Sequence, residues 1–398
     1  MASPLKHIPK NVWVLGFVSL FMDMSSELVH AVLPIYLTAV LGLSVLAVGI
    51  IEGIAEATAS MLKVVSGFVS DRFSRRKPLV LLGYGLGALT KPFFPLAETA
   101  MGVVTARFVD RIGKGIRGAP RDAIVADVTP PELRDAAYGL RQSLDTVGAF
   151  LGPLLAMLFL WLWADNLRAV LWVAVVPAAI AVLLLAVGVD EPQLPSRSQK
   201  TRALRLDFDR IRALPPAFWR LLVLTALISL ARLSEAFLVL RAQEMKLSLL
   251  WIPMVMIVMS AVYSLSSYPA GILAIRTNRQ VVLGASLIAL AGAQVALALY
   301  PGTLGFWLGV ALWGLHMGLS QGGLSAAVAQ SSPPDMYATS FGLFHFVTGV
   351  FQLASGVLAG WLWVTLGSAA AFSSGALWAL LALAAMFISN ITVVSSKK

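Results

Sequence analysis

Arg107, Arg111, Lys114, Arg117 and Arg121 recur every three or four residues in the stretch ARFVDRIGKGIRGAPRDAIVAD, residues 106 to 127. On a helix turning about 100° per residue they fall within roughly a third of the circumference, as one positive stripe. Acids stand in similar rows: Asp23, Glu27 and His30 at i, i+4, i+7; Glu52, Glu56 and Lys63 at i, i+4, i+11; Arg141 and Asp145 four apart; Arg232 and Glu235 three apart. A row of cations can hold an anionic solute. A carboxylate among cations changes its hold on a proton when its neighbours move, so the acids can couple proton flow to solute movement. These rows make Arg107, Arg111, Lys114, Arg117 and Glu235 candidate solute ligands, and Asp23, Glu27, Glu52, Glu56 and Asp145 candidate proton carriers. Two other readings of the same rows stand beside this one. The acids can merely compensate the cations in a structural ion-pair network, or Asp23, Glu27 and His30 can ligate a divalent metal.

The surroundings decide which chemistries are open. Of 398 residues, 58% are hydrophobic and 13% charged, and the mean hydropathy of +0.83 points to a polytopic membrane protein rather than a soluble domain. There is no cysteine, which removes disulfides, thiolate metal sites and a cysteine nucleophile. No HExxH, GxSxG or GxxxxGK[ST] motif is found, so neither an intramembrane enzyme nor ATP-driven work is expected, and no cofactor is implied. The formal net charge of +10 suits cytoplasmic loops that set topology, and nucleic acid is not expected as a partner. The basic start MASPLKHIPKNVW leads into a long apolar segment that reads as a first membrane helix rather than a cleaved signal.

A hydrocarbon core of about 30 Å needs roughly 20 residues per helix. Segments of that length run over 12–39, 45–70, 78–97, 100–125, 134–163, 167–189, 217–241, 248–273, 280–300, 303–329, 336–365 and 368–391, giving an all-α protein of twelve spans. A cation at the midplane of a lone helix costs about 2.5–3.5 kcal/mol even on the lenient scale, so the stripe on the fourth span cannot face lipid. Cations crowd the links after spans 2, 6 and 8, which places both termini in the cytoplasm of a multi-pass inner-membrane protein. The expected domains are a six-helix bundle over 1–190, a cytoplasmic linker over 191–216 and a second bundle over 217–398. In the linker, Leu204, Phe208 and Ile211 have the spacing of a helix lying on the bilayer surface.

The halves resemble each other. TPPELRDAAYGLRQSLDTVG (129–148) aligns without a gap to SPPDMYATSFGLFHFVTGVF (332–351), SGFVSDRF (66–73) to AGILAIRT (270–277), and SSEL (25–28) to LSEA (233–236). Three matches in one order argue for a duplicated six-helix repeat, a transporter layout. Arg141 and Asp145 correspond to Phe344 and Thr348, so the ionisable groups are concentrated in the first half.

GFVSDRFSRRK (67–77) resembles the Gly-x-x-x-Asp-Arg-x-Gly-Arg-Arg-Lys loop of the major facilitator superfamily, with Ser74 in place of the second glycine. Gly148, Gly152 and Pro153 in GAFLGP resemble the Gly-x-x-x-Gly-Pro signature of its exporters, and Arg107, with Gly115 and Pro120 beyond it, falls where the family carries a span 4 arginine. The string DRIGKGIRGAPRDA is similar to a bacterial subgroup of that family. The resemblance implies two six-helix bundles rocking around a central site. It further implies a cytoplasmic gate formed by Gly67, Asp71, Arg72, Arg75 and Arg76, and gating packing at Gly148, Gly152 and Pro153. The expectation is a monomeric, proton-coupled exporter of a small organic anion or zwitterion, with a proton-linked importer as the alternative. His316 and His345 are expected to be packed or pore-lining rather than ligands.

Overall fold

The computed structural model describes residues 8–72, 76–130, 133–191, 211–212, 214–277, 279–300, 302–333 and 336–388. Every regular element among them is helical: α1 (Lys10–Ile35), α2 (Val45–Arg72), α3 (Lys77–Thr90), α4 (Phe93–Leu96), α5 (Ala100–Val128), α6 (Arg134–Leu162), α7 (Leu167–Val173) and α8 (Val175–Gly188), then α9 (Pro216–Ala231), α10 (Ala236–Glu244), α11 (Met254–Arg276), α12 (Arg279–Leu299), α13 (Thr303–Ser331), α14 (Tyr337–Leu366) and α15 (Ser368–Ile388). Helices suit a solvent that offers no hydrogen bonds, because each satisfies its backbone internally. Eleven passages, some of two helices in tandem, are long and apolar enough to cross a membrane; α5, with its five cations, is the passage that composition alone leaves out. Val187, Leu304 and Leu265 are 84%, 83% and 78% exposed, as side chains that face lipid from a membrane span are. Leu204 and Phe208, the core of the expected interfacial helix, lie outside the described residues.

The chain divides into two compact units. One comprises Met1–Leu43, Thr58–Lys200 and Leu247–Met256; the other comprises Ser44–Ala57, Thr201–Lys246 and Ile257–Lys398. In the first, Val12, Leu15, Val18 and Met22 of α1 meet Val80 and Tyr84 of α3, Ile124 and Val125 of α5, Ala137 of α6 and Ala178 and Leu185 of α8. In the second, Phe218 and Leu221 of α9 pack with Val328 of α13 and Phe344 of α14, and Leu224 and Ile228 with Leu287 of α12 and Met386 of α15. The first part of α2 packs with the second unit: a side chain on Gly49 would strike the Gly356 carbonyl oxygen of α14, so the two backbones touch.

Proline shapes the end of α1. Pro34 has no N–H to donate to the turn before it, and the helix widens into a π-turn over Tyr36–Val40. Thr38 Oγ1 donates to the Pro34 carbonyl at 3.0 Å.

Candidate functional site

Thr99 starts α5 by accepting from the Gly102 amide at 3.3 Å. Glycines then let α5 approach α3: a Cβ on Gly83 would lie 2.7 Å from the Gly113 carbonyl oxygen, and one on Gly113 would lie 2.6 Å from that of Gly83. This approach carries Arg117 across α3, where its guanidinium sits 4.6 Å from the centre of the Tyr84 ring. Cation–π contact and burial hold it there. The Tyr84 hydroxyl also accepts from Arg121 at 3.4 Å and lies 3.3 Å from Ser19 Oγ.

The stripe is therefore divided. Arg107, Arg111 and Arg117 are 1%, 4% and 4% exposed, whereas Lys114 is half-buried. On one edge Asp110 receives Lys91 Nζ at 2.9 Å, and Lys91 also donates to Ser26 Oγ at 3.2 Å and stands 5.9 Å over the Phe94 ring. Arg107, Arg111 and Arg117 all lie within the field of Asp110. Sequence reasoning passed over Lys91 and Asp110. The available signal was a lysine inside the third apolar span and an acid one turn beyond Arg107.

On the other edge stand the acids of α1 and α6. Asp23 and Asp145 lie close enough to act on one another, and Lys114 and Arg117 act on Asp23. Asp145 Oδ1 is 3.7 Å from Arg141 Nη1 and 3.9 Å from Arg121 Nη1. Asp122 Oδ1 is 3.1 Å from Arg121 Nε and 3.7 Å from Arg141 Nε. Glu27 is 3.5 Å from His30 Nδ1 and lies within the field of Lys114 and Arg111. What brings α1 and α6 this close is glycine: a Cβ on Gly148 would collide with the Leu20 carbonyl oxygen, and one on Gly152 would lie 2.6 Å from the Met24 carbonyl oxygen and 2.8 Å from the Leu28 nitrogen. Pro153 is buried within α6. Among the described residues no three acids or histidines are placed to hold a metal ion.

The remaining candidates are elsewhere. Glu52, 1% exposed, and Glu56, half-buried, stand on the part of α2 that packs with the second unit. A side chain on Gly67 would make ordinary contact with Ala119 at 3.6 Å. Asp71 and Arg72 fall in the last turn of α2, and Arg75 lies outside the described residues. Arg76 Nε is 3.2 Å from Asp127 Oδ2, while its amide donates to Glu191 Oε1 at 2.7 Å. In the second unit Arg232 Nη2 is 3.5 Å from Glu235 Oε1, and buried His316 places Nδ1 2.9 Å from the Ser286 carbonyl oxygen. His345 stacks edge-on to Phe344, ring centres 5.3 Å apart.

Tyr84 separates two contributions. Tyr84→Phe keeps the ring under Arg117 and loses the hydroxyl, and is expected to lower stability by about 1 kcal/mol. Tyr84→Leu removes the stacking surface as well, for about 0.5–2 kcal/mol more. Chemical unfolding of the purified protein in detergent reads both, and equal losses would mean that the stacking contributes nothing.

The sequence model of the Major Facilitator Superfamily matches residues 15–356. The chain belongs to that family. It is a multi-pass membrane protein and a secondary transporter, not an enzyme. An uncharacterized MFS-type transporter of Methanocaldococcus jannaschii is 32% identical over 365 residues, 90% of this chain and 89% of that one. The multidrug resistance protein MdtH of Photorhabdus laumondii is 28% identical over 160 residues, 40% of this chain and 39% of its own length. In fold the chain is similar to a POT family transporter crystallised with a thioalcohol-conjugated peptide, with a TM-score of 0.81 at 14% identity, covering 99% of this chain and all of that one.

Proposed function

We propose that this transporter exports a small organic zwitterion or anion in exchange for protons, by alternating access, as a monomer in a bacterial inner membrane with both termini in the cytoplasm. The Asp23–Asp145 pair beside Lys114 carries the reading. Two neighbouring carboxyl groups repel when both are charged, so the pair is a ready proton site. Around it the cations Lys91, Arg107, Arg111, Lys114, Arg117, Arg121 and Arg141 outnumber the acids Asp23, Glu27, Asp110, Asp122 and Asp145, and the excess charge favours a cargo with a negative group. Lys114, rather than the deeply packed Arg107, Arg111 and Arg117, is the cation this reading gives to the cargo.

The sign of coupling follows from charge. An ammonium on the cargo competes with the proton for the carboxyl pair, which gives exchange. A plain anion gains when the pair is protonated and Lys114 is released, which gives proton-linked import. The multidrug resistance protein similar over 160 residues of this chain supports export; the action of Lys114 on the pair supports import of a plain anion as the second reading.

Proteoliposomes carrying an internal pH dye separate these cases. When challenged with organic anions and zwitterions, alkalinisation or acidification of the lumen gives the direction. Asp23→Asn and Asp145→Asn are each expected to reduce gradient-driven accumulation by about 5- to 150-fold, the range of ordinary coupling free energies, while leaving solute-for-solute counterflow intact. Accumulation retained in both variants would remove the pair from the mechanism.

A further inference from the structure

The seventh span is interrupted midway. Between α9 and α10 the backbone leaves the helix at Arg232, with φ −84° and ψ 91°, and resumes at Ala236. The interruption strips carbonyl groups at the end of α9 of their helical partners, and side chains replace two of these. Ser355 Oγ donates to the Leu230 carbonyl at 2.9 Å, and Gln294 Nε2 donates to that of Ala231 at 2.8 Å. This second bond fixes the orientation of the Gln294 amide, since the flipped amide would set oxygen against oxygen. Gln294 Oε1 is thereby left as a buried acceptor with no hydrogen-bond partner, on a side chain that is 0% exposed. Arg232 and Glu235 flank the break, 27% and 19% exposed, as an ion pair with 3.5 Å between Nη2 and Oε1. Interrupted membrane helices with charged residues at mid-depth are where transporters bind solutes.

We propose that the interruption holds the head of a compact zwitterion of the α-amino-acid type, with its carboxylate on Arg232 and its primary ammonium on Glu235, and with Gln294 Oε1 as a further acceptor. A solute with opposite charges on neighbouring groups meets both residues at once, and it brings no net charge into the membrane. A simple anion meets the Glu235 carboxylate, and a simple cation meets the Arg232 guanidinium, so the pair selects against both. The assignment rests on the transporter reading and narrows its cargo.

The chain lacks cysteine, so Ser234→Cys places a single thiol at the break. Labelling of this variant, purified in detergent, by a charged methanethiosulfonate reagent is followed with each proteinogenic α-amino acid, and with the N-acetyl and methyl-ester forms of any that protects. At least one amino acid is expected to slow labelling while neither of its derivatives does. Arg232→Gln and Glu235→Gln, each added to Ser234→Cys, are expected to weaken protection about tenfold, the effect of losing one charge-assisted hydrogen bond. The melting temperature of the unsubstituted protein, measured with the same compounds, is expected to rise with the protecting amino acid alone. Protection by both derivatives, or neither protection nor a melting shift with any amino acid, overturns the proposal. Proton-driven flux of an organic anion without amino-acid protection sinks this assignment and spares the transport reading; protection without any flux does the opposite.

Discussion

Asp110→Asn is expected to destabilise the purified protein by about 3–5 kcal/mol, as breaking a buried ion pair from one side does. Lys91 and Asp110 are 1% and 4% exposed at the side chain and 2.9 Å apart. The carboxylate also answers Arg107, Arg111 and Arg117. Removing its charge leaves several cations facing one another in a medium that cannot solvate them, while the new amide still fills the space. The loss is therefore electrostatic rather than one of packing. The double variant Lys91→Met, Asp110→Leu is expected to regain much of the stability, because an apolar pair needs no solvation. Thermal unfolding in detergent for the two single variants and the double gives the coupling; additive losses would mean that the pair does not act as a unit.

Gly148→Val is expected to cost more than about 3 kcal/mol, above the usual range for an overfilled core. The atom that a side chain would strike is the Leu20 carbonyl oxygen, part of the α1 backbone. A side chain can rotate away from such a clash, but a helix backbone has to move as a body. That movement would part α1 from α6 and draw Asp23 from Asp145, so the variant is expected to be poorly folded and to lose proton coupling together. Gly139→Ala, on the same helix with nothing within 4 Å of the added carbon, is the control and is expected to be neutral or to gain up to about 1 kcal/mol, the helix preference of alanine over glycine. Size-exclusion profiles and melting temperatures distinguish the two. A well-folded Gly148→Val protein would show that the helices are not held at this spacing.

The all-helical membrane fold was legible because a span is a local property: about twenty apolar residues identify it whatever surrounds them. α5 was legible for a different reason, since the three- and four-residue spacing of its cations marks a helix even where hydropathy does not. Arg141 and Asp145, one turn apart, were likewise readable as a pair, and Gly148 and Gly152 marked the fifth span for close packing without showing that α1 is the helix it meets. Leu204, Phe208 and Arg75 fall outside the described residues.

Other features depended on groups far apart in sequence. Whether Arg117 joins a solute or packs on Tyr84 depends on how near α3 comes to α5, and that is set by Gly83 and Gly113, thirty positions apart. Lys91 finds Asp110 through the same approach. SSEL and LSEA align in the repeat, yet α1 runs unbroken through the first while the second lies at the break between α9 and α10, where Gln294 and Ser355 take over the hydrogen bonds of the released carbonyls. The amino-acid sequence thus determined the number and kind of membrane segments and which of them carry charge, because burial in lipid is judged residue by residue along a helix. Tertiary structure alone decided which charges neutralise each other, because an ion pair forms or fails with distances that helix packing sets.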